Sequence, residues 1–420
     1  MPRNPAIPSR RLVCALTLIL ALLSPFRDAR AGDFFDKLHD TLSLSDPDHH
    51  FHLQLSGLID LETYFIDEPA PALLYTDDDV LFNPRLTLFL DAQLGSKFYV
   101  FAQTRVDRGF DPTDSGPQIR LDEYFLRYSP DRSFNVQIGQ FATVVGNWVL
   151  RHDSWQNPFI NAPLPYENLT GIWDVWAPEK PEDLLYWAHV PGYESGVYDD
   201  KILRLPIIWG PSYASGVSIS GSIGNFDYAA EMKNASLSSR PDVWSITETG
   251  FSHPTFSSRI GFRPNEMWNF GFSVSAGSYF LPEAEPSFPP GTDRDDFKEL
   301  VLAQDISFAW HHLQLWAEFF ETRFEAPNVG DADTFAYYLE AKYKFTPQLF
   351  GALRWNQQLF GTIVNNNQEV AWGNDIWRID AAIGYRFTDH LQAKIQYSFS
   401  EQDSPQEGKH LVSTQVTLKF

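Results

Sequence analysis

The chain has 420 residues, with 32 basic and 54 acidic side chains and a formal net charge of −22 at pH 7. This acidity argues against nucleic acid as a partner, because binding it needs a concentrated basic face. Beyond the N-terminal segment there is no run of about 20 apolar residues, which excludes a helical membrane protein. Aromatic residues still make up 15% of the chain, a content that fits either a β-barrel in lipid or a carbohydrate-binding β-protein.

Residues 1–31 have the pattern of a secretory signal. A positively charged start precedes a short apolar segment at 12–23, and residues 29–31 fit the small-x-small rule for cleavage before Gly32. A membrane anchor is the alternative, but the apolar segment is shorter than the roughly 20 residues that a span requires. Cleavage would remove the single cysteine, Cys14, and would change the net charge from −22 to −26, because five arginines and one aspartate leave with it.

Residues 32–50 form a short segment with a helix-like apolar stripe, predicted as a periplasmic contact, and 51–420 alternate apolar and polar side chains with the period of β-strands. Sixteen segments show this pattern, each of roughly 9–15 residues, as a tilted membrane strand requires. The segments are 51–65, 81–93, 98–108, 118–128, 134–141, 212–222, 225–235, 256–264, 268–280, 297–310, 311–325, 333–345, 348–360, 375–387, 390–400 and 410–420.

The connections between these segments alternate between short and long. The short ones are rich in Gly, Pro, Asn and Asp. The longer ones are 66–80, 109–117, 142–211, 236–255, 281–296, 326–332, 361–374 and 401–409. A barrel with both termini in the periplasm has short turns on that side and long loops outside. The alternation therefore predicts a transmembrane antiparallel β-barrel of about sixteen strands.

The two faces of the predicted strands differ in chemistry. On 375–387, Ile379 and Ile383 share the apolar face, whereas Arg378 and Asp380 share the opposite one. In a barrel the apolar face contacts lipid and the charged face must line water, since unpaired charge is costly in hydrocarbon. A barrel of sixteen strands is wide enough for an aqueous channel.

The last eight residues end on Phe420, which shares an apolar strand face with Val416 and Leu418. This ending resembles the C-terminal signature of bacterial outer-membrane β-barrel proteins, whose last strand closes the barrel against the first.

The third long connection, 142–211, is far longer than the others and contains six of the chain's tryptophans. That composition is too aromatic for disorder, and long loops in compact proteins are usually functional. We expect the loop to be folded and to pack back into the mouth of the barrel.

The segment 136–141, Val-Gln-Ile-Gly-Gln-Phe, enters this loop. With the sixteen strands and the terminal Phe420, it resembles the bacterial general and phosphate-selective porins. The resemblance implies an all-β fold whose third extracellular loop folds inward and sets the channel constriction, and it implies a homotrimer. The dense lysine and arginine ladder of a phosphate channel is missing, so phosphate specificity is not implied.

Six charged residues are the predicted constriction. Alternation places four cations on the inner wall, and two anions lie in the long loop; they are Arg105, Arg127, Arg354, Arg378, Asp153 and Glu167. A basic wall opposite an acidic loop would orient dipolar solutes and bias ion selectivity. The alternative is that these are ordinary lumen charges, paired for solvation.

These features predict a passive channel for small hydrophilic solutes and ions in the outer membrane of a Gram-negative bacterium, without a cofactor. Its surroundings would be lipid and lipopolysaccharide. Acidic loops such as 77–79 fit a solvated surface, and cation bridging to lipopolysaccharide is the alternative. The alternatives are a receptor, an adhesin or a sheath for a partner protein, favoured if the long loop blocks the lumen. No spacing of Ser, His and a polar third residue indicates an enzyme, and the histidines at 49–52 fit a polar surface better than a metal site.

Overall fold

Sixteen antiparallel strands form one closed barrel. The computed structural model describes residues 30–47, 50–67, 70–74, 76, 78–108, 118–189, 203–403 and 408–420; the predicted signal lies almost entirely outside them. The barrel strands are β2 (Phe51–Ile66), β3 (Val80–Leu94), β4 (Phe98–Asp107), β5 (Gln118–Asp131), β6 (Phe134–Gln140), β7 (Ser215–Ile223), β8 (Phe226–Lys233), β9 (Thr255–Phe262), β10 (Trp268–Ser278), β11 (Lys298–Trp310), β12 (Leu313–Ala326), β13 (Gly330–Lys344), β14 (Leu349–Phe360), β17 (Ile376–Arg386), β18 (Leu391–Gln402) and β19 (Lys409–Lys419).

Each barrel strand pairs with the next one along the chain, and β19 closes the barrel against β2. At the closure Gln415 lies opposite Glu62. Phe420 extends the pairing, since its N–H and C=O each bond to Gly57 at 3.0 Å. The predicted closure of the last strand on the first is confirmed, and the sheet has no free edge.

All sixteen predicted strands are present, but the predicted alternation of connections fails at one position. Residues 326–332 were expected to form a long loop, whereas only 327–329 separate β12 from β13. Asn328 has a φ of 60° and Gly330 a φ of 104°, and Val329 donates to the Ala326 carbonyl. Two left-handed positions with one residue between them close this turn tightly, so the two strands extend further than their polarity indicates.

The two ends of the barrel differ. One end, here called the turn end, carries the short connections, and the opposite loop end carries the long ones. At the turn end Tyr343, Phe345, Tyr385 and Phe387 are all exposed on the outer surface. Aromatic side chains are enriched at such positions in membrane barrels, where the apolar outer surface meets water.

The predicted faces of the strands are confirmed on β17. Ile379 and Ile383 are exposed outward, while Arg378, Asp380 and Ala382 are buried inward. Other strands present a similar apolar outer surface, including Ile119, Ile260 and Leu353. None of the described helices is long and apolar enough to cross a membrane.

A few small elements complete the described structure. Helix α1 (Arg30–Thr41) lies at the turn end, where Asp36 and His390 are 3.0 Å apart, and it begins two residues ahead of the predicted cleavage site. The remaining elements are β1 (Ser43–Ser45), α2 (Pro181–His189), α3 (Ile246–Thr249), the hairpin of β15 (Thr362–Asn365) and β16 (Gln368–Ala371), and 3-10 turns at Trp148–Arg151, Leu164–Tyr166, Pro241–Val243, Pro282–Ser287 and Arg294–Asp296.

The apolar core lies inside the barrel and in its loop end, because the outer surface of the strands is exposed. Its largest cluster joins separate loops through Leu73, Trp209, Trp244, Phe280 and Trp372. The loops therefore form one packed layer over the loop end.

Candidate functional site

The connection between β6 and β7, residues 141–214, is here called the long loop; it is described at 141–189 and 203–214. It contacts inward side chains of the barrel, beginning with Arg354 of β14. This arginine lies directly opposite Glu340 of β13 and Asp380 of β17. Its Nε lies 2.9 Å from Asp380 Oδ2, and its Nη2 donates to the Asn161 side chain at 2.6 Å and to the Ala162 carbonyl at 3.1 Å. Arg354 thus joins two wall carboxylates to the loop.

Two further wall cations hold the same stretch of the loop. Arg378 of β17 pairs with Glu167 at 2.5 Å and donates to the Ala162 carbonyl at 2.6 Å. The Lys394 ammonium of β18 donates to the carbonyls of Ser154, Asn157 and Phe159 at 2.8, 2.9 and 3.1 Å. Three carbonyl oxygens around a buried ammonium fix the local path of the backbone.

Wall carboxylates bind the beginning of the loop. Glu318 of β12 accepts hydrogen bonds from the backbone N–H groups of Asn147 and Trp148 and from the Tyr166 hydroxyl. Glu340 accepts from Arg151 at 2.6 Å. Removing either carboxylate would leave buried donors unpaired, which costs more than the bond itself contributes.

The loop also packs on an apolar stretch of the inner wall. Val145, Trp148 and Ile208 of the loop contact Phe320 and neighbouring apolar side chains of β11 and β13, which are fully buried. The expectation that inward faces line water is wrong for this wall. On β12 both faces are apolar near Phe319 and Phe320, so alternation alone does not show which face meets the loop.

Among the described residues, two cavities lie beside the loop. The inner faces of β2, β3, β4, β17, β18 and β19 line them. The upper cavity has a volume of about 150 Å³ and lies towards the loop end, where Tyr64, Arg378 and His410 line it. The lower cavity, of about 100 Å³, lies deeper, between Arg85 and Trp209. Four residues line both cavities: Leu73, Ile160, Asn161 and Glu167. Each cavity is large enough for several water molecules or one small solute.

The two sides of the lower cavity differ in polarity. The wall side carries Arg85, paired with Asp60 at 3.1 Å and with Glu62 at 2.6 Å, and Arg105, paired with Asp107 and Asp122. The loop side carries aromatic residues, namely Trp148, His152, Phe159, Trp209 and Tyr213. A solute in the lower cavity would contact ion pairs of the wall on one side and aromatic rings of the loop on the other.

Two titratable groups of the loop face these cavities. Burial raises the pKa of Glu167, although the neighbouring Arg378 opposes that shift. Burial lowers the pKa of His152. The His152 Nδ1 lies 2.6 Å from the Val149 carbonyl, and its Nε2 lies 2.6 Å from the Tyr213 hydroxyl. Both contacts are satisfied by a neutral ring with its proton on Nδ1.

Solved structures of similar shape exist, although no protein-family model and no curated protein matches the chain. The outer membrane channel DcaP of Acinetobacter baumannii is 12% identical with a TM-score of 0.56, over 90% of this chain and 99% of that one. OmpF of Salmonella typhi is 11% identical with a TM-score of 0.55, over 90% and 100%. An anion-selective porin from Comamonas acidovorans is 11% identical with a TM-score of 0.54, over 88% and 100%.

The chain has the fold of the bacterial porins. At identities this low the likeness establishes the fold alone, so the roles of side chains in this porin-fold barrel rest on their own contacts.

The structure separates the six predicted constriction residues. Arg105, Asp153 and Glu167 line the lower cavity, and Arg378 and Glu167 line the upper one. Arg354 is fully buried under the loop and lines neither cavity. The structure brings together only Arg354, Arg378 and Glu167, and these three hold the loop in place.

Arg127 lies apart from the other predicted residues. It is opposite Tyr99 on β4, whereas Arg105 is six residues further along that strand, about 20 Å away. Its Nε and Nη2 donate to Gln137 at 2.9 and 2.7 Å, and its Cζ lies 5.0 Å from the Phe125 ring centroid. Asp153 accepts hydrogen bonds from the N–H groups of Trp155 and Gln156. A single transverse field across all six residues is therefore not formed.

Sequence reasoning missed several carboxylates of the inner wall, including Asp60, Glu62 and Glu318. The signal was present on β2, where Leu58, Asp60, Glu62 and Tyr64 recur with a period of two.

In the part of the chain that the structure describes, no group of three or more His, Cys, Asp or Glu residues is placed to hold a metal ion.

Proposed function

We propose that this protein is a channel of the bacterial outer membrane that lets small hydrophilic solutes and ions diffuse through a narrow path beside the long loop. One observation carries the proposal. The upper and lower cavities share Leu73, Ile160, Asn161 and Glu167 as common walls, so they lie in series along the barrel. A small movement of these side chains would join them into one path.

The chemistry of the outer and inner faces of the barrel wall supports the proposal of a membrane channel. Outward residues are apolar and exposed, as lipid requires, and inward residues beside the cavities are charged and paired with one another. The porin fold and the outer membrane channel DcaP among the similar structures support the same location.

The small cavities limit what can pass. A volume of about 150 Å³ corresponds to a benzene-sized molecule. We expect ions and solutes such as glycerol to pass readily and trisaccharides to be excluded.

Liposome swelling tests this proposal. Vesicles that contain the folded protein are diluted into iso-osmotic solutions of glycerol, a pentose, a disaccharide and a trisaccharide, with heat-unfolded protein as the control. The proposal expects swelling rates that fall steeply with solute size. If even glycerol causes no swelling beyond the control, passive diffusion is refuted.

The seating of the long loop favours a second candidate function. Phe159, Tyr166 and Trp209 are at most 1% exposed, so the loop occupies the lumen like a folded plug. A barrel closed in this way would display its outer loops as a receptor, an adhesin or a sheath for a partner protein. Folded barrels that insert but permit no swelling would support this alternative.

Export and assembly complete the proposal. Residues 1–31 would be removed as a secretory signal, which mass spectrometry of the protein from outer membranes tests directly: the mature chain should begin at Gly32. The homotrimer rests on the resemblance to porins. Chemical cross-linking in native membranes should then give a species of three chains, and a species of one chain alone would exclude it.

A further inference from the structure

Two groups of cations on the inner wall and the long loop differ in their partners. The first group lies in mid-barrel or near the cavities, and each member has a carboxylate partner; its members are Arg85, Arg105, Arg120, Arg151, Arg259, Arg354 and Arg378. The second group lies at the turn end and consists of Lys342, Lys344, Arg386 and Lys419. Among the described residues, the ion pairs include none of these four cations.

These four residues, here called the turn-end cluster, lie at the turn end of the barrel, where two of them contact the tip of the long loop. Trp155 lies at that tip, with the Arg386 guanidinium carbon 4.6 Å and the Lys419 ammonium 5.6 Å from its ring centroid. Lys342 lies 4.4 Å from the Phe350 ring centroid, within electrostatic reach of Lys344 and Arg386. The charges of Lys344 and Arg386 therefore act against that of Lys342, and Lys419 shares the Trp155 ring with Arg386.

The neighbouring carboxylates are already engaged. Glu340, two residues from Lys342, is held by Arg151 at 2.6 Å and by Arg354 at 3.6 Å. The Asp153 carboxylate accepts backbone N–H groups of the loop, and Asp36 pairs with His390 at 3.0 Å. Asp153 keeps its negative charge and offsets one of the four cations, which still leaves the turn-end cluster with a local excess of positive charge.

One donor of the cluster is buried without an acceptor. The Nε of Arg386 has no hydrogen-bond partner, and its Nη2 has only a long contact of 3.4 Å to Gln392. An unpaired guanidinium N–H costs free energy that an oxyanion would recover. Arg386 therefore adds a directional donor to the point charges of the three lysines.

We propose that the turn-end cluster is a binding site for a small multivalent oxyanion, such as a tricarboxylate, which sits against Trp155 at the turn-end mouth of the barrel. Arg386 donates to one carboxylate of the ligand, and Lys342, Lys344 and Lys419 neutralise the remaining charge. Binding needs no movement of solute through the barrel. The site is therefore independent of the proposed channel activity.

Isothermal titration calorimetry of the full-length folded protein with citrate tests the site at low ionic strength. The test variant is Lys342→Gln/Lys344→Gln/Arg386→Gln. The matched control is Lys97→Gln/Arg132→Gln/Arg263→Gln, which removes three exposed cations from other short turns at the same end. The heat-dependent gel mobility of each variant confirms that it folds.

We expect wild type and the control to bind citrate alike and the test variant to bind at least about tenfold more weakly, since the loss of one charge-assisted hydrogen bond is enough for a change of that size. Acetate, with one carboxylate, should bind weakly to all three proteins. Equal citrate affinities in the test variant and the control, or no binding by wild type, would overturn the proposal. Citrate binding by a barrel that permits no liposome swelling would refute the channel and leave this site standing.

Discussion

Arg354 and Asp380 lie directly opposite each other on β14 and β17, with Arg354 Nε 2.9 Å from Asp380 Oδ2 and both side chains out of reach of solvent. The guanidinium extends beyond this pair to Asn161 of the long loop. The pair thus holds the loop from within the wall, and the width of any path beside the loop depends on it.

Removing this guanidinium should release the loop. The Arg354→Gln substitution leaves Glu340 and Asp380 short of a buried cation, and breaking a buried pair in this way costs about 3–5 kcal/mol. Urea unfolding of the folded barrel should show that loss, and limited proteolysis should cut the loop faster.

An exposed pair provides the control for this prediction. Arg323 bonds to Asp331 and Asp333 but is 45% exposed, and surface pairs contribute about 0–1 kcal/mol. If Arg323→Gln and Arg354→Gln destabilise the barrel equally, the anchoring role of Arg354 is wrong.

Substitutions at two glycines of the long loop distinguish the cost of backbone strain from the cost of steric overlap. Gly146 and Gly210 have φ values of 81° and 51°. A Cβ at Gly146 would overlap the Tyr166 hydroxyl, whereas one at Gly210 meets nothing within 4 Å. Gly210→Ala should cost about 1–2 kcal/mol from the left-handed backbone alone, and Gly146→Ala about 1–3 kcal/mol more from overpacking. Thermal unfolding of both variants measures the difference, and equal losses would show that Gly146 is not close-packed.

The pKa of His152 predicts how the stability of the folded barrel, with its loop in place, depends on pH. Burial lowers its pKa below the ordinary value of about 6.5, so the folded state favours the neutral ring. The contribution of His152 to the free energy of unfolding is fully present above about pH 6.5. It is lost as the pH falls towards the pKa in the folded state, by at most about 1.4 kcal/mol per pH unit. The charges facing the ring are Asp153, Arg105 and Asp122.

Urea unfolding between about pH 7.5 and 5 tests this sign. His152→Gln should flatten the pH dependence, because glutamine does not titrate. His311→Asn, at an exposed turn position with a φ of 51°, should leave the curve unchanged. A wild-type barrel that becomes more stable on acidification, by an amount that His152→Gln removes, would contradict the assignment.

Ile160 lies on the shared wall of the two cavities, so its size should set the path. Ile160→Ala should raise ion conductance and Ile160→Trp should lower it. Leu150, in the same loop but 74% exposed and lining neither cavity, supplies the matched control through Leu150→Ala and Leu150→Trp. Conductance that responds equally at both positions would place the path elsewhere.

The sequence predicts the strands well, because a lipid-facing strand must alternate. Ile379, Asp380 and Ile383 show the pattern without ambiguity, and the structure confirms their faces. Prediction fails where both faces are apolar, as at Phe319 and Phe320, because the inner face there meets the loop instead of water.

The anchoring contacts could not be read from the sequence. Asn161 and Arg354 lie 193 positions apart, and no periodicity relates a loop residue to a strand residue. The separation of Arg127 from Arg105 depends on register, including the bulge at Gln103 and Thr104. The sequence therefore predicts that these arginines face inward, but it does not predict which residues they contact.

Single-channel recording of the refolded wild-type protein in a planar bilayer tests the central claim most directly, with Arg354→Gln measured in parallel. A narrow path beside an anchored loop predicts small, discrete and stable conductance steps for wild type, and larger, noisier steps once the anchor is removed. Wild-type barrels that insert but pass no current, with no current in Arg354→Gln either, would contradict the channel.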